Sequence, residues 1–227
     1  MTLLTSQTIT KYHDNSLAKT FGSSVQANGS DPAKQHGLDE VQYWVAENHL
    51  HNCLLWSQED LARRTCVPDA EIVANKRAID RHNQSRNDAI ERIDECLLLA
   101  LGLVTPASAR SDSPVIRPST TARLNSETAG SMIDRLSILS LKIHAMKLQS
   151  QRQDATDAHR KVCTDKCARL VQQRTDLASC LDRLLADTKN GHAWFQVYRQ
   201  FKMYNDANLN PALLAESLRN KKPAFKA

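Results

Sequence analysis

A chain of 227 residues that is 41% hydrophobic is long enough to bury a sizeable core and apolar enough to need one. Its 5% aromatic content, six glycines and seven prolines leave little of the turn chemistry of a many-stranded sheet, which points to helices. The net charge of +5 comes from 30 basic residues interleaved with 25 acidic ones, which argues against nucleic acid as a partner, and the longest apolar run, "CLLLALGLV" at 96–104, is too short for a membrane span.

In chain order, Ile9, His13 and Leu17 stand at helical spacing and predict a first helix over 4–20. The opening "MTLLTSQTITKYHDN" lacks the charged start and long apolar run of a secretory signal. Six cysteines without such a signal read as reduced thiols in a cytoplasm. "GSSVQANGSDPAKQHG" (22–37) reads as a linker. A long helix is expected from Asp39 to about Arg64 and is broken by "TCVPDAE", where Pro68 suits the first turn of the next helix. That helix runs to about Val104, and the Ser-, Thr- and Pro-rich stretch 105–123 forms a second linker. A third long helix covers about 129–150 and a fourth about 155–188, stopping at Asn190-Gly191. A shorter helix is expected over about 192–204, with Trp194, Val197, Tyr198 and Phe201 on its packing face. The fold is therefore all-α, a bundle of about four long helices plus short N- and C-terminal ones. Its expected divisions are an N-terminal helix and linker (1–37), one bundle domain (38–217) and a basic tail (218–227).

Successive helical residues rotate by about 100°, so apolar stripes can be traced and their interruptions located. Along 69–104, Asn83 and Arg86 fall inside the arc of Ile72, Ile79, Ile90, Ile93 and Leu97, with Lys76, Asn87 and Asp94 at one edge. Along 39–64, Asn48, Asn52 and Glu59 share the face of Val45, Leu55 and Trp56, with Arg63 beside them. The third helix is apolar around most of its circumference, yet Arg135 and Lys142 share one line and Asp134 falls between Ile138 and Leu141. Arg174 lies within the leucine stripe of the fourth. Buried charges need partners, because an unpaired one costs several kcal/mol. Arg63, Lys76, Arg86, Arg135, Lys142 and Arg174 face fewer acids: Glu59, Asp94, Asp134 and Glu127. Two readings follow. One is an internal network that fixes helix register; the other is a pocket, cationic on balance, that admits a carboxylate or phosphate.

"LNSETAGSMIDR" (124–135) offers a second anion-binding element, since Thr128 or Ser126 can cap the third helix and Gly130 leaves its first-turn amides open. Ordinary capping is the competing explanation. Glu127 beside this turn, and Glu59, are the candidates for general acid or base. His159, Cys163 and Cys167 stand at metal-ligand spacing, but their face runs into the leucine stripe and reads as packing, so no metal site is expected. Lys202 and Tyr198 place a cation and a ring near the C-terminal aromatics. No phosphate-binding glycine loop or nucleophile elbow occurs, and the residues name no cofactor.

"LLWSQEDLARR", "KRAIDRHNQSRNDAIERID", "LNSETAGSMIDRLSILSLKI" and "VYRQFKMYNDANLNP" together resemble a bacterial all-helical family, domain-of-unknown-function family 4254. The motif positions Trp56, Glu59, Asn83, Arg86, Glu127, Gly130, Arg135, Lys142 and Lys202 carry over, whereas Ala129 and Ser57 stand where the family tends to have Pro and His. The resemblance implies an association with glycosyltransferases and with surface-polysaccharide or lipopolysaccharide assembly. The expected function is binding of a small anionic ligand, a sugar phosphate, nucleotide sugar or carboxylate, in the bundle interior. The alternative is an accessory or scaffold protein for a glycosyltransferase, with a purely structural polar centre.

Overall fold

The computed structural model describes residues 4–22, 40–201, 203 and 206–221. Most of the expected 22–37 linker, Lys202 and the end of the basic tail lie outside those residues. The elements in order are α1 (Ser6–Gly22), α2 (Glu40–Leu61), α3 (Asp69–Ala100), α4 (Pro106–Ala109), β1 (Arg123–Leu124), α5 (Ala129–Ser150), α6 (Asp157–Lys189), β2 (Ala193–Trp194) and α7 (Pro211–Lys221). The protein is all-α, its only described strands being two of two residues each. No described helix is long and apolar enough to cross a membrane.

Local chemistry sets the helix bounds. Thr128 Oγ1 accepts the Ser131 amide at 3.1 Å and starts α5, and Thr156 Oγ1 accepts the His159 amide at 3.2 Å and starts α6. Helix α6 stops where Gly191 takes φ 73°, a left-handed value that a side chain would strain. Helix α5 packs against α1, α2, α3 and α6, which explains its apolar circumference. Ile93, Leu98, Ile133, Leu136, Leu181 and Phe195 are the large fully buried residues around it.

Three parts differ from the sequence expectation. The 105–123 stretch carries α4 and is packed down: Ala109 and Pro114 are buried, and the Arg117 amide donates to Leu103 O at 2.8 Å. Of the segment expected as a helix over 192–204, residues 192–201 are not helical and begin with the extended β2. It pairs in parallel with β1, Arg123 opposite Ala193 and Leu124 opposite Trp194. Burial alternates there, with Ala193, Phe195 and Val197 inside and Trp194 and Gln196 half-buried, so period 2 wins over period 3.6. Tyr198 and Phe201, expected to pack, are exposed. Finally, α1 is not a separate appendage. Ile9, His13 and Leu17 are buried, and Ser6 donates its amide and hydroxyl to Asp182 of α6 at 2.8 and 2.6 Å. The chain divides into one compact unit, Met1–Val197, which holds α1 to α6, and a second, Tyr198–Ala227, which holds α7.

Candidate ligand-binding site

Helical spacing turns Asn48 and Asn52 of α2 and Asp134 and Ser137 of α5 toward one another. Asp134 Oδ1 accepts from Nδ2 of both asparagines at 2.9 Å. Asn52 Nδ2 also reaches Ser137 Oγ at 3.1 Å, and that hydroxyl shares a 2.8 Å hydrogen bond with His49 Nδ1. Arg86 of α3 approaches the same carboxylate, its Nε 3.8 Å from Asp134 Oδ1. That is too far for a hydrogen bond, and the Nε is buried with no partner. The centre of the bundle is thus closed around Asp134 and unsatisfied at Arg86.

Beside Arg86 lies a cavity of about 310 Å³. Trp56, Glu59 and Asp60 of α2, Arg63 just beyond it, and Asn83 and Arg86 of α3 form its polar and aromatic walls. Ile138 and Leu141 of α5 contribute apolar surface. The expectation of a cationic pocket is not met in this cavity, where two arginines face two carboxylates. Arg63 Nη1 binds Glu59 Oε2 at 2.7 Å in an exposed pair, so Arg86 is the cation left for a ligand.

Two further concavities run along α5. One, of about 660 Å³, contains Glu127, Arg135, Lys142 and Asp176, and there Arg135 Nη1 is bound to Glu127 Oε1 at 2.6 Å. The other, of about 460 Å³, contains Trp56, Lys142, Lys166 and Arg169. Glu59 and Glu127, the two candidates for general acid or base, line different concavities.

Residues 42–197 match the family described as "Protein of unknown function (DUF4254)", more than half of the chain. The chain belongs to the DUF4254 family. No curated protein and no solved structure matches it. The part that matches the DUF4254 family runs from α2 to the end of the extended β2 segment and contains every residue named in the three concavities.

Several residues expected at the ligand site of this DUF4254 protein are placed elsewhere. Gly130 is buried, and its amide donates to Asp94 Oδ1 at 2.7 Å. The N-terminus of α5 does bind a carboxyl group, but the group is the protein's own Asp94. Ser126 is exposed, and Lys76 is exposed and paired with Asp80 one turn on. Asn87 is buried in α3 away from the cavity walls. Arg174 turns toward α1, where Nη1 meets Asp14 Oδ1 at 2.6 Å and Ser140 Oγ at 3.1 Å. Of the sequence candidates, Glu59, Arg63, Asn83 and Arg86 share one cavity, and Glu127, Arg135 and Lys142 share another. Asp60 stands in the family motif but interrupts no apolar stripe, and Lys166 and Arg169 were not singled out from sequence. They stand on the solvent side of their helices, where charge is ordinary and no stripe is broken.

Behind the cavity, the rings of His13 and His49 stack at 4.4 Å with 22° between planes. Both His13 nitrogens are buried without partners. Burial, then the neighbouring His49 and Arg174, hold the His13 pKa well below 6.5; burial lowers that of His49 to about 4, opposed by Asp14. Folding thus requires neutral rings, and their contribution to stability, complete above pH 6.5, is lost as the pH falls. Asp94 has the opposite sign. Burial pushes its carboxyl from 3.8 up to about 7, against hydrogen bonds from Thr128 and Gly130. Its penalty therefore grows as the pH rises through that interval. Asp94→Asn is expected to steepen acid destabilisation by about 1.4 kcal/mol per pH unit between pH 4.5 and 6.5, because one histidine then loses its offset. Urea titrations across this range check it, and equal slopes in the two proteins would refute the assignment.

Proposed function

We propose that this DUF4254 protein binds a small phosphorylated or carboxylated sugar in the cavity between α2, α3 and α5. The observation that carries this reading is Arg86, whose buried Nε lacks a partner at the wall of a cavity of ligand size. A buried donor left unpaired is costly, and a ligand oxygen would satisfy it. Trp56 offers a flat apolar face to a sugar ring, and Asn83, Glu59 and Asp60 offer the mixed donors and acceptors that hydroxyl groups need. Glu59 and Asp60 are the carboxylates that would reach a ligand here. The resemblance implies an association of the family with surface-polysaccharide or lipopolysaccharide assembly, so sugar phosphates and nucleotide sugars are the first ligands to try.

A second reading, an accessory or scaffold protein for a glycosyltransferase, draws on the closed network around Asp134 and on the Glu59–Arg63 and Glu127–Arg135 pairs. Thermal unfolding with nucleotide sugars, sugar phosphates and small dicarboxylates separates the two. A ligand at a hundred times its Kd adds about 2.7 kcal/mol, or roughly 5–10 °C in a domain of this size. Arg86→Met should lower the unliganded melting temperature by less than Asp134→Ala does, since the Nε makes no hydrogen bond and Asp134 keeps both asparagine donors, and should abolish the ligand shift. No shift in wild type with any of these compounds favours the scaffold.

A further inference from the structure

Lys142 of α5 and Lys166 and Arg169 of α6 line a concavity of about 460 Å³ whose wall includes no carboxylate. None of the three has a hydrogen-bond or ion-pair partner among the described residues. Of the other cations on α6, Arg160 pairs with Asp157, Lys161 with Asp165 and Arg174 with Asp14, whereas Arg183 and Lys189 stand singly among the described residues and line none of the three concavities. The sequence itself denies partners to the two lysines. One turn to either side of Lys142 stand Ile138 and Met146, and around Lys166 stand Val162 and Leu170. Lys166 and Arg169 are three apart on one helix face, a like-charge spacing that opposes folding unless an anion lies between. Met146 and Leu170 add apolar surface beside the three cations in the same concavity.

Trp56 lines both this concavity and the Arg86 cavity. Resting on the reading given above, we propose that the two are halves of one site for a glycosyl diphosphate. The sugar ring occupies the Arg86 cavity, and the diphosphate extends past Trp56 onto Lys142, Lys166 and Arg169. The cationic excess expected of the bundle interior is thus found outside it, in the half that would hold the phosphates. Volumes of about 310 and 460 Å³ are each in the range of a small-ligand pocket, which suits a ligand of two moieties and not a simple dicarboxylate.

Calorimetry on the full chain tests this with inorganic pyrophosphate, glucose 1-phosphate and UDP-glucose as probes. Wild type should bind pyrophosphate, and UDP-glucose more tightly than either simpler probe. The exposed triple variant Lys142→Ala/Lys166→Ala/Arg169→Ala should lose at least tenfold in affinity for pyrophosphate and UDP-glucose. Arg86→Met should weaken UDP-glucose tenfold and leave pyrophosphate unchanged. Equal pyrophosphate affinity in wild type and triple variant, or none in either, overturns the diphosphate half, and the sugar reading then stands or falls on Arg86 alone. Pyrophosphate binding that needs the three cations, with every sugar probe indifferent to Arg86, overturns the sugar cavity and with it the joined ligand.

Discussion

Asp134→Ala is expected to destabilise the protein by about 3–5 kcal/mol, the largest loss of any substitution near the cavity. Asp134 is buried and accepts from two asparagine amides at 2.9 Å, with the Arg86 guanidinium 3.8 Å away. Its removal leaves the fully buried Asn48 amide without its acceptor, takes from the Asn52 amide one acceptor while Ser137 remains, and leaves Arg86 without a countercharge. Each stranded donor costs about 1–3 kcal/mol and a stranded charge more. Asp134→Asn keeps one acceptor oxygen and should fall between Asp134→Ala and wild type. Adding Arg86→Met to Asp134→Asn should recover part of the loss, since no buried cation then lacks a partner. Urea unfolding of the set measures all three. A loss below about 1 kcal/mol for Asp134→Ala would mean that water reaches these amides from the cavity and replaces the carboxylate.

Gly130→Ala is the second large effect, at about 3 kcal/mol or a fall of roughly 6–12 °C in melting temperature. A Cβ at this position would stand 2.5 Å from the backbone oxygen of Ile90 and 3.0 Å from Asp94 Oδ1. The first is main chain within α3 and cannot swing aside, so α5 must move away from α3. That movement also lengthens the 2.7 Å bond from the Gly130 amide to Asp94 and uncovers a buried carboxyl. Calorimetric melting checks the size, and a fall under about 2 °C would show that the two helices separate freely. The glycine expected to open a helix terminus to a ligand instead allows two helices to touch.

These two residues show what was legible in the chain. The start of α5 could be read because Thr128 is a good cap and the helix after it is apolar nearly all round. The end of α6 could be read from Asn190-Gly191. The 192–204 segment could not, because its aromatics fit either period and the partner that settles the matter, β1, lies far back in the chain. Arg86, Asn83 and Glu59 were visible because each interrupts an apolar arc, and the structure gathers them at one cavity. Arg174 was visible for the same reason, yet its breach is filled by Asp14, 160 residues earlier in sequence. Lys166 and Arg169 were invisible because a charge on a solvated helix face breaks no pattern. Helical spacing finds polar residues that point inward; it says nothing about which exposed cations from two helices converge.

The parallel pairing of Arg123 with Ala193 and of Leu124 with Trp194 has a consequence for how this fold can change. The chain enters the α5–α6 pair and leaves it at adjacent points, heading the same way. The pair is closed at one end by this narrow neck, with its far tip at residues 151–156, while α5 packs along α1, α2 and α3. Adding or removing residues at that tip costs only the slow, logarithmic growth of loop entropy and leaves the neck in register.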